Sequence, residues 1–221
     1  MKQDETFGAI FDWDGVVIDS SSHHEESWER LAKETGLTLP DGHFKKGFGM
    51  KNEFIIPNLL NWSSRLEEIR ELSLRKEAFY REILIEWGIQ ALPGVAECLG
   101  ELSKRRIPCA IGSSTHRLNI DTILSVLGLE NYFAAIVTAE DVSRGKPDPE
   151  VFLAAAGRIG VAPNRCVVFE DALVGIEAAH RGGMKVVAVA TTNPIEKLMG
   201  ADLAVHRLDE LSVDQLAALV A

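Results

Sequence analysis

The chain has 221 residues, 46% hydrophobic and 25% charged, a globular composition with room for one large domain or for a medium domain carrying a smaller insert. Its formal net charge of -10 speaks against nucleic acid or an anionic membrane as a partner, since both need clustered Lys and Arg. No stretch reaches the roughly 18 uninterrupted apolar residues of a membrane-spanning helix, and the short polar start Met1–Thr6 is not a signal-peptide pattern.

The first apolar run, Phe7 to Phe11, breaks off sharply at Asp12-Trp13-Asp14-Gly15, as a buried strand of a parallel sheet does at its end. From about Ser20 to Ala91 the texture changes to amphipathic helix. In Glu25–Glu34, Trp28, Leu31 and Ala32 share a face, and in Leu66–Trp87 the residues Leu66, Ile69, Leu72, Phe79, Ile83 and Trp87 follow one stripe. Pro93-Gly94 then marks a return. After it, Ile107–Gly112, Ala135–Thr138, Cys166–Phe169, Val186–Ala190 and Leu203–Val205 read as compact buried strands. Between them Leu118–Leu127, Glu150–Ile159 and Leu173–Arg181 read as helices. Strands alternating with helices predict a doubly wound, Rossmann-like parallel α/β sheet. The predicted organisation is a core domain of residues 1–19 and 91–221 with a helical domain, residues 20–90, inserted after the first strand. The three cysteines, Cys98, Cys109 and Cys166, include no CxxC pair and read as reduced, buried thiols, which points to a cytoplasmic setting.

Four polar clusters stand just past strands, at the edge of an open α/β sheet where ligands bind: Asp12-Trp13-Asp14-Gly15, Ser113-Ser114-Thr115, Gly145-Lys146-Pro147-Asp148 and Glu170-Asp171. Far apart in sequence, they are expected to converge in space. The carboxylates Asp12, Asp14, Glu170 and Asp171 would repel one another without a hard dication among them, and oxygen ligands with open water positions suit Mg2+. Lys146 and the hydroxyls of Ser113 and Ser114 can bind phosphoryl oxygens. Each cluster alone has a plainer reading: Asp-x-Asp-Gly as a turn, Lys146 as a solvated loop lysine, the serines and Glu170-Asp171 as helix caps. Their order along one sheet edge favours phosphoryl transfer, which needs an oxygen nucleophile, a metal and fixed positive charge.

The four clusters resemble the ordered motifs of the haloacid dehalogenase superfamily, and a helical insert directly after the first motif resembles its β-phosphoglucomutase-like branch. The resemblance spans nearly the whole chain. It implies that Asp12 attacks phosphorus to form an aspartyl-phosphate, with Asp14 as general acid and then general base. It also implies that Ser113 binds the phosphoryl group and that Lys146 holds nucleophile and phosphate. Asp171, helped by Glu170, would anchor Mg2+ with a carboxylate oxygen of Asp12 and the main-chain carbonyl of Asp14. An acid at Asp14 argues against dehalogenation, since dehalogenases of the family lack it.

The resemblance also places His24 of His23-His24 where β-phosphoglucomutases carry a histidine near the catalytic acid, although two histidines at a helix start are ordinarily solvated. In Phe48-Gly49-Met50-Lys51-Asn52-Glu53, Met50 stands where those mutases carry an arginine for a second phosphate. Lys51 is the nearest cation, a substrate-binding candidate, while Phe48 and Met50 read as packing. That run, with Leu60-Asn61-Trp62 and Ile176-Glu177-Ala178-Ala179-His180, is similar to plant riboflavin-pathway phosphatases of the superfamily. The expected activity is Mg2+-dependent hydrolysis of a small phosphorylated metabolite by a monomer or weak homo-oligomer. A sugar phosphomutase, and a non-catalytic metabolite-binding protein, are the alternatives.

Overall fold

The computed structural model describes residues 7–47 and 50–221. Met1–Thr6, Phe48 and Gly49 lie outside the described residues. The chain divides into two compact units, Met1–Asp19 with Gln90–Ala221, and Ser20–Ile89.

The first unit is built on six strands: β1 Gly8–Phe11, β2 Cys109–Gly112, β3 Ala135–Val137, β4 Cys166–Glu170, β5 Lys185–Val189 and β6 Leu203–Val205. All pair in parallel, in the order β3-β2-β1-β4-β5-β6. β1, β2 and β4 are buried along their whole length, which is why they read as uninterrupted apolar runs. The helices are α5 Val95–Lys104, α6 Arg117–Leu127, α7 Glu150–Arg158, α8 Leu173–Arg181 and α9 Val213–Leu219. Helix α7 lies against β1, β2 and β3, and α8 against β4 and β5. Phe152, Ala155 and Ala156 of α7, and Ile176, Ala178 and Ala179 of α8, close one apolar core with Ile10, Ala110, Val137, Val168 and Val186. Phe11 stacks on Phe169 across the β1–β4 pair, ring centroids 4.4 Å apart. This is the doubly wound sheet expected from the sequence, with strand ends displaced by a residue or two. Helices α5 and α9 are additions to that expectation. The three cysteines are buried and free.

The second unit holds the remaining helices, α1 Ser21–Thr35, α2 His43–Gly47, α3 Asn52–Asn58 and α4 Leu66–Trp87. Trp28 and Leu31 of α1, Ile55 and Ile56 of α3, and Ile69 and Phe79 of α4 form its apolar centre, with Met50 packed on the margin. Helix α1 starts four residues before the expected Glu25, because His23 is buried and its Nε2 lies 2.8 Å from the carbonyl of Gly88, tying the start of α1 to the end of α4. The stripe expected along α4 holds at Ile69, Phe79 and Ile83. Its ends do not: Leu66 and Trp87 are exposed, and Ser73, Lys76 and Glu77 are buried instead. Asn52 donates to Ser73 Oγ (3.1 Å) and to Glu77 Oε1 (2.8 Å), and Glu77 Oε1 also accepts from Lys76 Nζ (2.9 Å). Lys76 Nζ lies 2.6 Å from His24 Nδ1, whose ring stacks on Tyr80 with centroids 4.1 Å apart. Among the described residues no helix is long and apolar enough to cross a membrane.

Candidate active site

Strand order reverses on either side of β1, since the chain leaves β1 for β2 and β3 and then crosses back to β4. Ligand sites in open α/β sheets form outside the carboxyl ends of strands at such a point. Asp12 follows β1, and its main-chain N–H donates to Phe169 O at 2.9 Å, carrying the strand pairing one residue beyond β1. Ser113 follows β2 and donates its N–H to Val137 O at 3.0 Å. Glu170 ends β4 and Asp171 succeeds it. Lys146 arrives from the segment between β3 and α7. The folding of three apolar strands thus delivers polar residues from four distant stretches to one edge.

At that edge Lys146 Nζ lies 2.9 Å from Asp12 Oδ2 and 2.6 Å from Glu170 Oε1, its side chain fully buried. The other Glu170 oxygen, Oε2, accepts from the N–H groups of Asp171 and Ala172, each at 2.8 Å. One oxygen each of Asp12, Glu170 and Asp171 lie within 4.8 Å of one another, and all three residues are buried. Burial, with Glu170 and Asp14 nearby, pushes the Asp12 carboxyl up to about 7 although Lys146 pulls it down. Burial, Glu170 and Asp12 likewise raise Asp171 well above the ordinary carboxylate range. Burial works against the charge on Lys146, yet Asp12 and Glu170 together hold its pKa above that of a free lysine.

The cluster fits a divalent cation on two counts. Three buried carboxylates face one buried ammonium, so their full ionisation would leave two negative charges uncompensated. Among the described residues Asp12 Oδ1 and Asp171 Oδ1 are buried without a hydrogen-bond partner, and an orphaned carboxylate oxygen in a dry site is costly unless a cation takes it. An all-oxygen donor set suits Mg2+ or Ca2+ rather than a softer metal.

Two glycines make room for these carboxylates. Gly15 has φ +80°, and a Cβ there would stand 1.9 Å from Asp171 Oδ2. A Cβ on Gly175, inside α8, would stand 1.7 Å from Glu170 Oε1.

Of the expected residues, Asp12, Lys146, Glu170 and Asp171 are in direct contact or within ligand distance. Asp14 and Ser113 join through a residue the sequence reading left without a role, Thr115: its hydroxyl donates to Asp14 Oδ2, and its N–H donates to Ser113 Oγ at 3.1 Å. Ser114, between Ser113 and Thr115 in sequence, is half-buried. His24 and Lys51 belong to the second unit, His24 in the first turn of α1 and Lys51 just before α3. The sequence reading missed Thr192 and Asn193. The signal was available, because Thr191-Thr192-Asn193-Pro194 is a fifth polar break directly after a strand.

Residues 9–189 match the family model of haloacid dehalogenase-like hydrolases, and the chain belongs to that family. It is 40% identical over 215 residues to the chloroplastic 5-amino-6-(5-phospho-D-ribitylamino)uracil phosphatase of Arabidopsis thaliana, covering 96% of this chain but only 57% of that protein. It is 32% identical to the validoxylamine A 7'-phosphate phosphatase of Streptomyces hygroscopicus subsp. limoneus, covering 92% of this chain and 94% of that one. Among solved structures, β-phosphoglucomutase from Clostridium difficile matches with a TM-score of 0.86 at 26% identity, covering 97% of each chain.

Proposed function

We propose that the protein is a phosphoric monoester hydrolase that removes phosphate from a small phosphorylated polyol or sugar in two steps through an aspartyl-phosphate on Asp12. The observation that carries the reading is the state of Asp12: a buried carboxylate with Oδ2 paired to Lys146 and Oδ1 without a hydrogen-bond partner among the described residues, in a cluster where one oxygen each of Asp12, Glu170 and Asp171 lie within 4.8 Å of one another. A carboxylate kept in the turn of a structural loop would have both oxygens hydrogen-bonded.

In the first step a carboxylate oxygen of Asp12 attacks phosphorus, the bond to the ester oxygen breaks, and protonated Asp14 gives its proton to the leaving alkoxide. In the second, ionised Asp14 takes a proton from water, the oxygen attacks phosphorus, and the bond to Asp12 breaks to release phosphate. Lys146 keeps Asp12 oriented and adds positive charge, and Ser113 and Ser114 offer hydroxyls to the phosphoryl oxygens. Asp12, Asp171 and the main-chain carbonyl of Asp14 would hold Mg2+, with Glu170 adding charge. When bound, the ion screens the negative charge of the carboxylates and the phosphoryl group. His24 and Lys51, in the inserted helical domain, are proposed to select the leaving group. A polyol or sugar phosphate is supported by the phospho-D-ribityl group in the substrate named for the Arabidopsis relative, and a small phosphate ester by the validoxylamine A 7'-phosphate named for the Streptomyces one.

The mutase reading draws on the likeness to β-phosphoglucomutase. Hydrolysis is favoured because Met50, which stands where mutases carry a phosphate-binding arginine, is packed on the apolar cluster of its unit. Phosphate release over a panel of polyol and sugar phosphates, with Mg2+ and with chelator, tests the proposal, and addition of a sugar bisphosphate tests for isomerisation. Asp12→Asn is expected to release no phosphate while keeping the far-ultraviolet circular dichroism of the parent. Mass spectrometry after quenching should find the phosphoryl group on Asp12, and a label elsewhere would reject the assignment.

A further inference from the structure

The polar groups of Asp171 are unequally served. Its N–H donates to Glu170 Oε2, its carbonyl accepts from Asn193 Nδ2 at 3.1 Å and lies 3.3 Å from Thr192 Oγ1, and its Oδ2 accepts from Thr192 Oγ1 at 2.5 Å, while Oδ1 is buried with no partner among the described residues. Oδ2 is also walled in on the Gly15 side, where no more than a hydrogen fits. The direction of the Thr192 bond is fixed by its neighbour, since Asn193 Nδ2 also stands 3.3 Å from Thr192 Oγ1 and can only donate to it. That leaves the single hydroxyl proton for Asp171, where Oδ2 at 2.5 Å is the nearer acceptor and the carbonyl at 3.3 Å the farther. The loop carrying both residues is anchored at its root, where Ala190 N–H donates to Val205 O at 2.8 Å and Thr191 N–H to Val189 O at 2.9 Å.

We propose that Thr192, braced by Asn193, is a positioning residue that engages one oxygen of Asp171 and so presents the other, Oδ1, to the divalent cation. This rests on reading the carboxylate cluster as a magnesium site. Outer partners of a metal-binding carboxylate fix its rotation, and their loss typically weakens the metal by about 10- to 100-fold. Without the Thr192 hydroxyl, the Asp171 carboxylate can turn about its last bond, and Oδ2 loses the hydrogen-bond donor it has among the described residues.

The test is calorimetric titration of the full chain with magnesium chloride, without substrate, for the wild type and for Thr192→Val, Thr192→Ser and Asn193→Ala. Thr192→Val, nearly isosteric, is expected to bind Mg2+ about 10- to 100-fold more weakly, with no more than the small drop in metal-free melting temperature that one lost hydrogen bond brings. Thr192→Ser should restore the affinity to within a few-fold of wild type, and Asn193→Ala should show a smaller loss than Thr192→Val. Wild-type affinity in Thr192→Val overturns the proposal, as does a lowered metal-free melting temperature with unchanged affinity, which would make Thr192 a loop staple. Should Thr192→Val not fold, unchanged affinity in Asn193→Ala overturns it equally. If the wild type itself binds no Mg2+, the metal reading fails and the proposal with it, a result distinct from equal binding by wild type and variant.

Discussion

At the scale of single residues, the site depends on buried charges whose partners are few. Lys146 is the ammonium between Asp12 and Glu170. Removing one member of a buried ionic group leaves the others uncompensated, at a cost of about 3–5 kcal/mol. Lys146→Met is therefore expected to destabilise the metal-free protein by about that amount, read as a lower midpoint in urea, besides abolishing turnover. Gly15 fails for another reason: a side chain there meets Asp171 Oδ2 and must also adopt a positive φ, itself worth roughly 1–2 kcal/mol. Gly15→Ala should thus lose magnesium binding by calorimetry together with activity, and retention of both would show that Asp171 is not held as described. Asp12, Lys146 and Asp171 were legible in the sequence because each interrupts an apolar run or stands in a polar break after one. Thr192 stands in such a break too and was passed over, since a hydroxyl after a strand looks like any turn residue until its partner is known.

At the scale of elements, parallel strands read clearly because burial on both faces makes them continuous apolar runs with sharp polar ends. Helix α9, seven residues long, and α5, ten residues, were missed, being too short for period alone to separate them from loop. In α4 the period was right and the inference from it incomplete. A pattern reading assigns Ser73, Lys76 and Glu77 to solvent, yet all three are buried and bonded to one another's neighbours across α1, α3 and α4. That network makes a prediction of its own. Glu77→Leu leaves the Lys76 ammonium without its carboxylate 5.5 Å from the Trp28 ring and 5.3 Å from the Tyr80 ring. It should lower stability by about 3–5 kcal/mol and perturb the near-ultraviolet circular dichroism of those aromatics. Magnesium affinity, a property of residues in the other unit, should be unchanged; an unaltered denaturation midpoint would mean that Lys76 is satisfied without Glu77.

At the scale of the whole molecule, the charge trapped in the site links stability, pH and metal. The Asp12 carboxyl has a folded-state pKa of about 7 against 3.8 for a free side chain, because burial disfavours its charge and Glu170 and Asp14 repel it. A carboxyl raised on folding favours the folded state fully only below its unfolded pKa, and that contribution is lost as pH rises through the folded value. Asp171 is shifted in the same direction, so the two add. In chelator the melting temperature is therefore expected to fall between about pH 5 and pH 8. On the proposed reading magnesium would act in the opposite sense, binding the ionised carboxylates in competition with their protons, so its stabilisation is expected to be weak near pH 5 and strongest near pH 8. Thermal melts across that range, with and without magnesium chloride, should show two curves that diverge as pH rises. Asp12→Asn, which carries no charge at that position at any pH, should flatten the chelator curve and shrink the divergence. Parallel curves in the wild type, with the same magnesium-induced shift at every pH, would mean that the carboxylates are already ionised in the metal-free protein and that the buried charge is compensated by groups other than the cation.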